Sequence, residues 1–248
     1  MRYFFEISYR GSNYHGWQSQ TNSKGVQQAV EEVLHQLFRK KIPIVASGRT
    51  DTGVHCISQY IHLDMEQEIN GATTLIRLNS FLPKDIAVRS IRKVKSDAHA
   101  RYDARARSYE YRITQRKDPL LQGYAYHYYK PIDVQNMNEA AALLVGTHDF
   151  QSFSKVKTDV NHFLCNVKYA RWKQKGGLLV FNITANRFLR GMVRAVVGSL
   201  LEVGTGKRSL ADFKKIVKGK DRKLAGMNVP PEGLYLVDVK YPKGIFLT

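Results

Sequence analysis

Residues 104–114 read ARARSYEYRIT, and at this stretch the chain starts over. Residues two apart on an extended strand share a face, so Tyr109, Tyr111 and Ile113 line one side of a strand here. Upstream, the pattern runs strand, helix, strand, strand, helix, strand. Phe5, Ile7 and Tyr9 alternate with Phe4, Glu6 and Ser8. VQQAVEEVLHQLFRK (26–40) then places Val26, Ala29, Val30, Val33, Leu34, Leu37 and Phe38 at helical spacing. Pro43 closes its basic tail, and IVAS (44–47) is a short strand. QYIHLD (59–64) alternates again, a short helix covers Ala72 to Leu78 before Pro83, and IAVRSIRKV (86–94) is extended.

Downstream of 104–114 the same order returns. Asp133 is placed to cap a helix through Leu144 that stops at Gly146. VKYARWKQ (167–174) and LLVFNIT (178–184) flank KGG, a hairpin signal. RFLRGMVRAVVGSLLEVG (187–204) is amphipathic, and GLYLVDVKY (233–241) is a closing strand. Two successive β-α-β-β-α-β units predict an α+β fold of two split βαβ halves, each a largely antiparallel sheet with helices on one face. The division falls near Ala104 to Arg107, giving halves 1–105 and 106–248. The repeat is one of architecture and not of residues.

The chain's 248 residues suffice for one large domain or two small ones, each with a core. No apolar run approaches the length that spans a bilayer, and the alternating N-terminus with Glu6 reads as a strand rather than a secretion signal. Two cysteines, Cys56 and Cys165, stand far apart in no CxxC pair, which fits a reducing, cytoplasmic setting. Lys and Arg total 39 against 21 Asp and Glu, a formal net charge of +18. The excess is concentrated: ten basic and three acidic residues from Arg89 to Lys117, eight and two from Lys207 to Lys223. With Tyr102, Tyr109 and Tyr111 interleaved in the first stretch, the pattern points to nucleic acid as partner. A membrane surface would call for a basic amphipathic helix with a bulky apolar face, and none stands out.

SGRTDTGVH (47–55) sets a charged pair between two glycines. If the chain leaves IVAS still extended, Arg49 and Asp51 share a face and Thr50 turns away. A neighbouring guanidinium keeps a carboxylate ionised even in a partly dry pocket, and the glycines permit close backbone approach. The same residues also fit a tight turn with an Asx-type bond from Asp51 and a surface arginine. Tyr109 and Tyr111 suit either base stacking or an ordinary core, with at least one of them core. GTGKR (204–208) imitates a phosphate loop but follows a helix and lacks the Ser or Thr after lysine, so it reads as a helix stop. His55, His148 and Asp149 fall in no metal-ligand spacing and read as local hydrogen-bonding residues.

Several stretches together resemble one family. GRTDTGVH is similar to the catalytic loop of the TruA-type tRNA pseudouridine synthases. The likeness continues through YRGSNYHGWQSQ with GVQQAVEEVL, LNSFLPKDIAV, HARYDARARSYEYRI, GTHDFQSF, RFLRGMVRAVVGSLLEVGTG and PPEGLYLVDVKYP. The resemblance implies the pseudouridine synthase fold, with both halves in one mixed, largely antiparallel sheet and the active-site cleft between them. It implies that Asp51 is the catalytic aspartate, Arg49 its salt-bridge partner and substrate contact, Tyr109 the active-site tyrosine that meets the base, and Arg194 the arginine that closes the site. It implies a cytoplasmic homodimer acting on tRNA uridines at positions 38 to 40 of the anticodon stem-loop, with no cofactor and no metal. Two places depart from the family pattern: Cys56 stands where a small alanine is usual, and VNHFLCN (160–166) lacks a Thr-x-Arg tract. A paralogue acting on another RNA, an RNA-binding module without chemistry, and a glycoside hydrolase are the competing readings. The last wants two carboxylates across a cleft, and only Asp51 carries a motif.

Overall fold

The computed structural model describes residues 1–19, 23–155 and 160–247. In chain order the elements are β1 (Arg2–Tyr9), α1 (Val26–Phe38), β2 (Val45–Ala46), β3 (His55–Asp64), α2 (Gly71–Phe81) and β4 (Ile86–Lys93). They continue with β5 (Ala106–Thr114), β6 (Tyr126–His127), α3 (Val134–Ala142), β7 (Gly146–Asp149), β8 (Leu164–Lys175) and β9 (Leu178–Ala185). Last come α4 (Met192–Gly204), α5 (Leu210–Gly219) and β10 (Leu234–Lys240). Packing divides the chain into two compact units. The first is Met1–Arg105 together with Tyr235–Thr248, and the second is Ala106–Leu234.

In the first unit β1 is central, antiparallel to both β3 and β4, while β2 pairs with β3. Alternation in β1 sends Tyr3, Phe5, Ile7 and Tyr9 into a core, where α1 contributes Val26, Ala29, Val30, Val33 and Leu34. Phe4 points to the opposite face and packs with Val94, Ala98, Ala100 and Ile245. α1's N-cap residue, Gly25, has no side chain to offer the first helical amides. Backbone carbonyls take that role: Val26 N donates to Gly16 O at 3.1 Å and Gln27 N to Trp17 O at 2.8 Å. Helix α2 is capped by Asn70, which accepts from Thr73 N at 3.0 Å, and ends at Leu82 ahead of Pro83.

The closing strand corrects one expectation. Read along the sequence, 235–248 belongs with the second half; in the structure it packs with the first unit. β10 pairs parallel to β3, with Tyr235 opposite His55 and Leu236 opposite Cys56. Tyr241 and Phe246 then pack edge-on to Phe4, at centroid separations of 5.1 Å and 5.9 Å. Aromatic burial on β1's second face is what draws the terminal segment there.

In the second unit β9 lies between β5 and β8, and β7 pairs with β8, all antiparallel; β6 adds to β5 in parallel. The capping role of Asp133 is realised, with Asn136 N donating to its Oδ1 at 2.9 Å. The hairpin between β8 and β9 turns on Gly176 and Gly177. One helix goes beyond the sequence reading. α5 lies inside the basic stretch 207–223, started by a capping box in which Ser209 and Asp212 satisfy each other's backbone amides. Phe213, Ile216 and Val217 are its buried stripe.

A backbone strap, 225–230, lies against α4. Gly226 N donates to Ser199 Oγ at 2.8 Å, and that hydroxyl donates on to Ala195 O at 2.9 Å. The approach is close enough that a Cβ built on Gly198 would stand 1.9 Å from Met227 O. Among the described residues no helix is long and apolar enough to cross a membrane. We predict that Gly198→Ala lowers unfolding free energy by about 1–3 kcal/mol, the usual cost of overpacking a tight contact, measured by urea denaturation.

Candidate active site

The loop between β2 and β3 carries the charged pair. Thr50 is buried, Arg49 is exposed and Asp51 is half-buried, so Arg49 and Asp51 flank a threonine turned inward. Tyr9 and Thr50 hydroxyls hydrogen-bond at 2.8 Å in the core, which fixes that inward turn. Asp51 opens a tight turn: its carbonyl accepts from Val54 N at 3.2 Å, and Gly53 sits at φ +77, the left-handed region glycine tolerates.

A second segment, residues 10–17, holds this turn from outside. Trp17 N donates to Thr50 O at 3.1 Å, and Gly53 N to Tyr14 O at 3.3 Å. Gly11 N donates to His55 Nδ1 at 3.1 Å. The two backbones touch so closely that a Cβ on Gly11 would stand 2.0 Å from Val54 O, and one on Gly16 would stand 2.5 Å from Thr50 O. Asp85 anchors the clamp in turn. It accepts from Tyr14 Oη at 2.6 Å and from Asn13 Nδ2 at 2.9 Å, while its carbonyl accepts from Arg10 N at 2.9 Å. Burial and the hydrogen bond to the Asp85 carboxylate raise the Tyr14 phenol well above its ordinary value, so it remains a donor. Asp51 is thus carried on a turn whose neighbours are fixed through main-chain bonds, themselves tied to the N-terminus of α1.

In the second unit, Tyr109 and Tyr111 share a face of β5, as expected, but differ in surroundings. Tyr111 is fully buried and donates to Pro230 O at 2.8 Å. Burial raises its phenol far above the ordinary value. Tyr111 is the core tyrosine. Tyr109 is half-buried, its ring edge-on to Phe188 with centroids 4.9 Å apart. Arg194 lies in the first turn of α4, where its Nε donates to Val229 O at 2.6 Å and its carbonyl accepts from Val229 N at 3.3 Å. Adjacent carbonyls of the strap, Val229 and Pro230, therefore hold Arg194 and Tyr111. A strand and a helix of this unit are tied to one short segment, the strand through Tyr111, two residues along from Tyr109.

Of the residues read from sequence, Arg49 and Asp51 lie on one loop of the first unit, and Tyr109 and Arg194 belong to the second. Sequence reading passed over Tyr14, Asp85, Gly11 and Gly16 as parts of the apparatus, and Phe188 as the ring against Tyr109. YRGSNYHGW carried a detectable signal, since three glycine or asparagine residues interrupt an aromatic-rich run, but nothing in it names the loop it meets. His148 and Asp149 make the local bonds expected of them, to Val145 O at 3.0 Å and from Gln151 N at 2.9 Å. Burial raises the Cys56 thiol far above its ordinary value, so it stays protonated. Among the described residues, no group of three or more His, Cys, Asp or Glu stands together to hold a metal ion.

The family model described as tRNA pseudouridine synthase matches residues 7–103 and 140–242, which include the Asp51 loop, its clamp and α4. The chain belongs to the tRNA pseudouridine synthase family. Family relatives align over nearly its whole length. The protein named tRNA pseudouridine synthase A of Porphyromonas gingivalis is 46% identical over 250 residues, covering 99% of each chain. That of Parabacteroides distasonis is 47% identical, over 99% of this chain and 98% of its own. That of Colwellia psychrerythraea is 40% identical, over 100% and 96%.

For a pseudouridine synthase built this way, Gly16 is the sensitive point of the clamp, since it combines φ +88 with the close approach to Thr50 O. Gly16→Ala displaces the Asp51 turn, and we expect turnover on tRNA to fall by about 10²-fold, as for other small misplacements of a reacting group. Steady-state kinetics, run at a temperature where a thermal melt shows the variant still folded, checks it; the melting temperature falls as well, because the positive φ and the contact with Thr50 O both cost stability.

Proposed function

We propose that this chain isomerises uridine to pseudouridine in tRNA, at positions 38 to 40 of the anticodon stem-loop, acting in the cytoplasm as a homodimer without cofactor or metal. The observation that carries the reading is the clamped turn presenting Asp51, in a chain of this family. The reaction breaks the bond between the sugar C1′ and N1 of the base, turns the base, and joins C1′ to C5. C5 then loses its proton and N1 gains one, so atoms balance with no oxidant and no added group.

The Asp51 carboxylate supplies the one reactive group the isomerisation needs: it attacks C1′ or assists removal of the 2′ proton, with Arg49 two residues away on the same loop. The uridine must first leave its stack, and side chains must hold it while the base turns. Tyr109 supports the base, its ring braced by Phe188, and its hydroxyl takes a proton late in the reaction. Arg194, braced by Val229, offers the remaining donors of a rigid guanidinium to close over the substrate. The basic stretches 89–117 and 207–223 supply phosphate contacts.

Tritium at C5 of uridine in tRNA gives the test, because the isomerisation releases that proton to water. We expect stoichiometric release. Binding without release would leave an RNA-binding module, and appearance of free base would indicate glycoside cleavage. Asp51→Asn is expected to abolish release while tRNA affinity, measured by filter binding, stays within a few-fold; near-normal release would remove Asp51 from the mechanism.

Tyr109→Phe keeps the ring and loses only the hydroxyl. If that hydroxyl relays a proton, the single-turnover rate falls by roughly 10²-fold with stability unchanged. Tyr111→Phe is the matched control. It loses the bond to Pro230 O, so stability falls by about 1 kcal/mol while the rate holds. Equal, small rate effects in the two variants would exclude Tyr109 from the chemistry.

A further inference from the structure

The sheet of the second unit has a face, turned away from its helices, that is largely polar and charged, with Val180 buried beneath the longer side chains. In β9, Leu179, Phe181, Ile183 and Ala185 are buried toward the helices. The alternate residues Leu178, Val180, Asn182 and Thr184 therefore belong to the other face. Register extends that face across three strands. Arg171 stands opposite Asn182, which stands opposite Glu110; Lys173 stands opposite Val180, which stands opposite Arg112. Tyr169 begins the row beside Thr184, Lys175 ends it beside Leu178, and Lys168 sits at the bulge between Val167 and Tyr169.

The chemistry of this face is one-sided. Five cations (Arg112, Lys168, Arg171, Lys173 and Lys175) meet one carboxylate from β5, β8 and β9, that of Glu110. Glu110 is claimed from two directions, by Arg112 Nη2 at 2.8 Å and by Lys175 Nζ at 3.5 Å. At the edge strand β7, Asp149 is met by Lys220 at 3.6 Å. Lys173 lies 5.7 Å from the ring of Tyr169, which is exposed. Glu110, Tyr169, Lys173, Lys175, Val180 and Asn182 line a shallow groove of about 390 Å³. A positively charged, open groove with an accessible aromatic ring is how nucleic-acid backbones are held without reading sequence.

We infer that this open face is a second docking surface for the RNA substrate, engaging its phosphate backbone through Lys168, Arg171 and Lys173 with Tyr169 beside them. The inference rests on the reading of the chain as an enzyme acting on tRNA. Charge decides against a second copy of the chain as occupant. In a two-fold dimer the same patch meets itself, so five cations would face five cations with only the two Glu110 carboxylates to offset them.

The test uses the full chain and unmodified tRNA. In the triple variant Lys168→Gln/Arg171→Gln/Lys173→Gln all three altered side chains are exposed, and circular dichroism with a thermal melt verifies the fold. We expect Kd at moderate salt to rise by about 10-fold or more, and the log–log salt slope to shrink in magnitude by about 2, at roughly 0.7–0.9 per lost phosphate contact. Tritium release at saturating enzyme should stay within two-fold of wild type. The charge-conserving variant Lys168→Arg/Arg171→Lys/Lys173→Arg should restore both Kd and slope. Unchanged Kd and slope in the glutamine variant would overturn the inference, as would failure of the charge-conserving variant to restore them. A change of mass in sedimentation would assign the face to contact between copies and also overturn it. Failure of the enzymatic reading is separate: wild-type protein would then release no tritium, whatever the triple variant does to binding.

Discussion

Contact between two stretches of main chain governs the first unit. The segment around Gly11 and Gly16 lies against the turn at Thr50 to Val54 with no room for a side chain between them. Hydrogen bonds between backbones fix distance and direction more tightly than pairs of long side chains, which lose rotamer entropy to meet. Because Gly16 and Trp17 also supply the carbonyls that cap α1, the turn, the clamp and the helix form one hydrogen-bonded body. Asp85 closes the arrangement from β4's side, so the turn that carries Asp51 is held by residues from three separate parts of the chain.

The second unit solves a related problem with a different device. Its strap at 225–230 has little regular structure of its own, yet consecutive carbonyls at 229 and 230 meet Arg194 on a helix and Tyr111 on a strand. A fully buried tyrosine two residues along from a half-buried one divides the labour on β5: Tyr111 locks the strand, and Tyr109 is left half-exposed beside Phe188. The opposite face of that sheet carries mostly charge over a buried Val180, which suits a basic protein whose partner is a polyanion.

Much of this was legible in the chain itself. Alternation in 3–9 and 107–114 and the helical spacing of 26–38 set the α+β order, because burial of one face is written directly into periodicity. Asp133 announced its helix by capping chemistry. What was not legible involved partners distant in sequence. Nothing local in GLYLVDVKY says that its ladder partner is His55–Cys56 or that Tyr241 and Phe246 seek Phe4. α5 was hidden because its lysines dominated the reading, although Ser209 and Asp212 carried the signature of a capped helix start. For the site, the glycine-flanked charged pair marked the loop, but a clamp made of main-chain atoms leaves little side-chain signature beyond the glycines that permit it.

The return of β10 to the first unit bears on how the protein is made. Translation delivers residues 1–105 early, yet the strand beside β3 and the aromatic cover over Phe4 arrive only after all of the second unit has emerged. Until then the outer edge of β3 lacks its β10 partner, and part of an apolar face lies open, the kind of surface through which nascent chains associate wrongly. The second unit, continuous in sequence, carries no such delay. Synthesis therefore favours a sequence in which the second unit consolidates first and the unit carrying the Asp51 loop is sealed last.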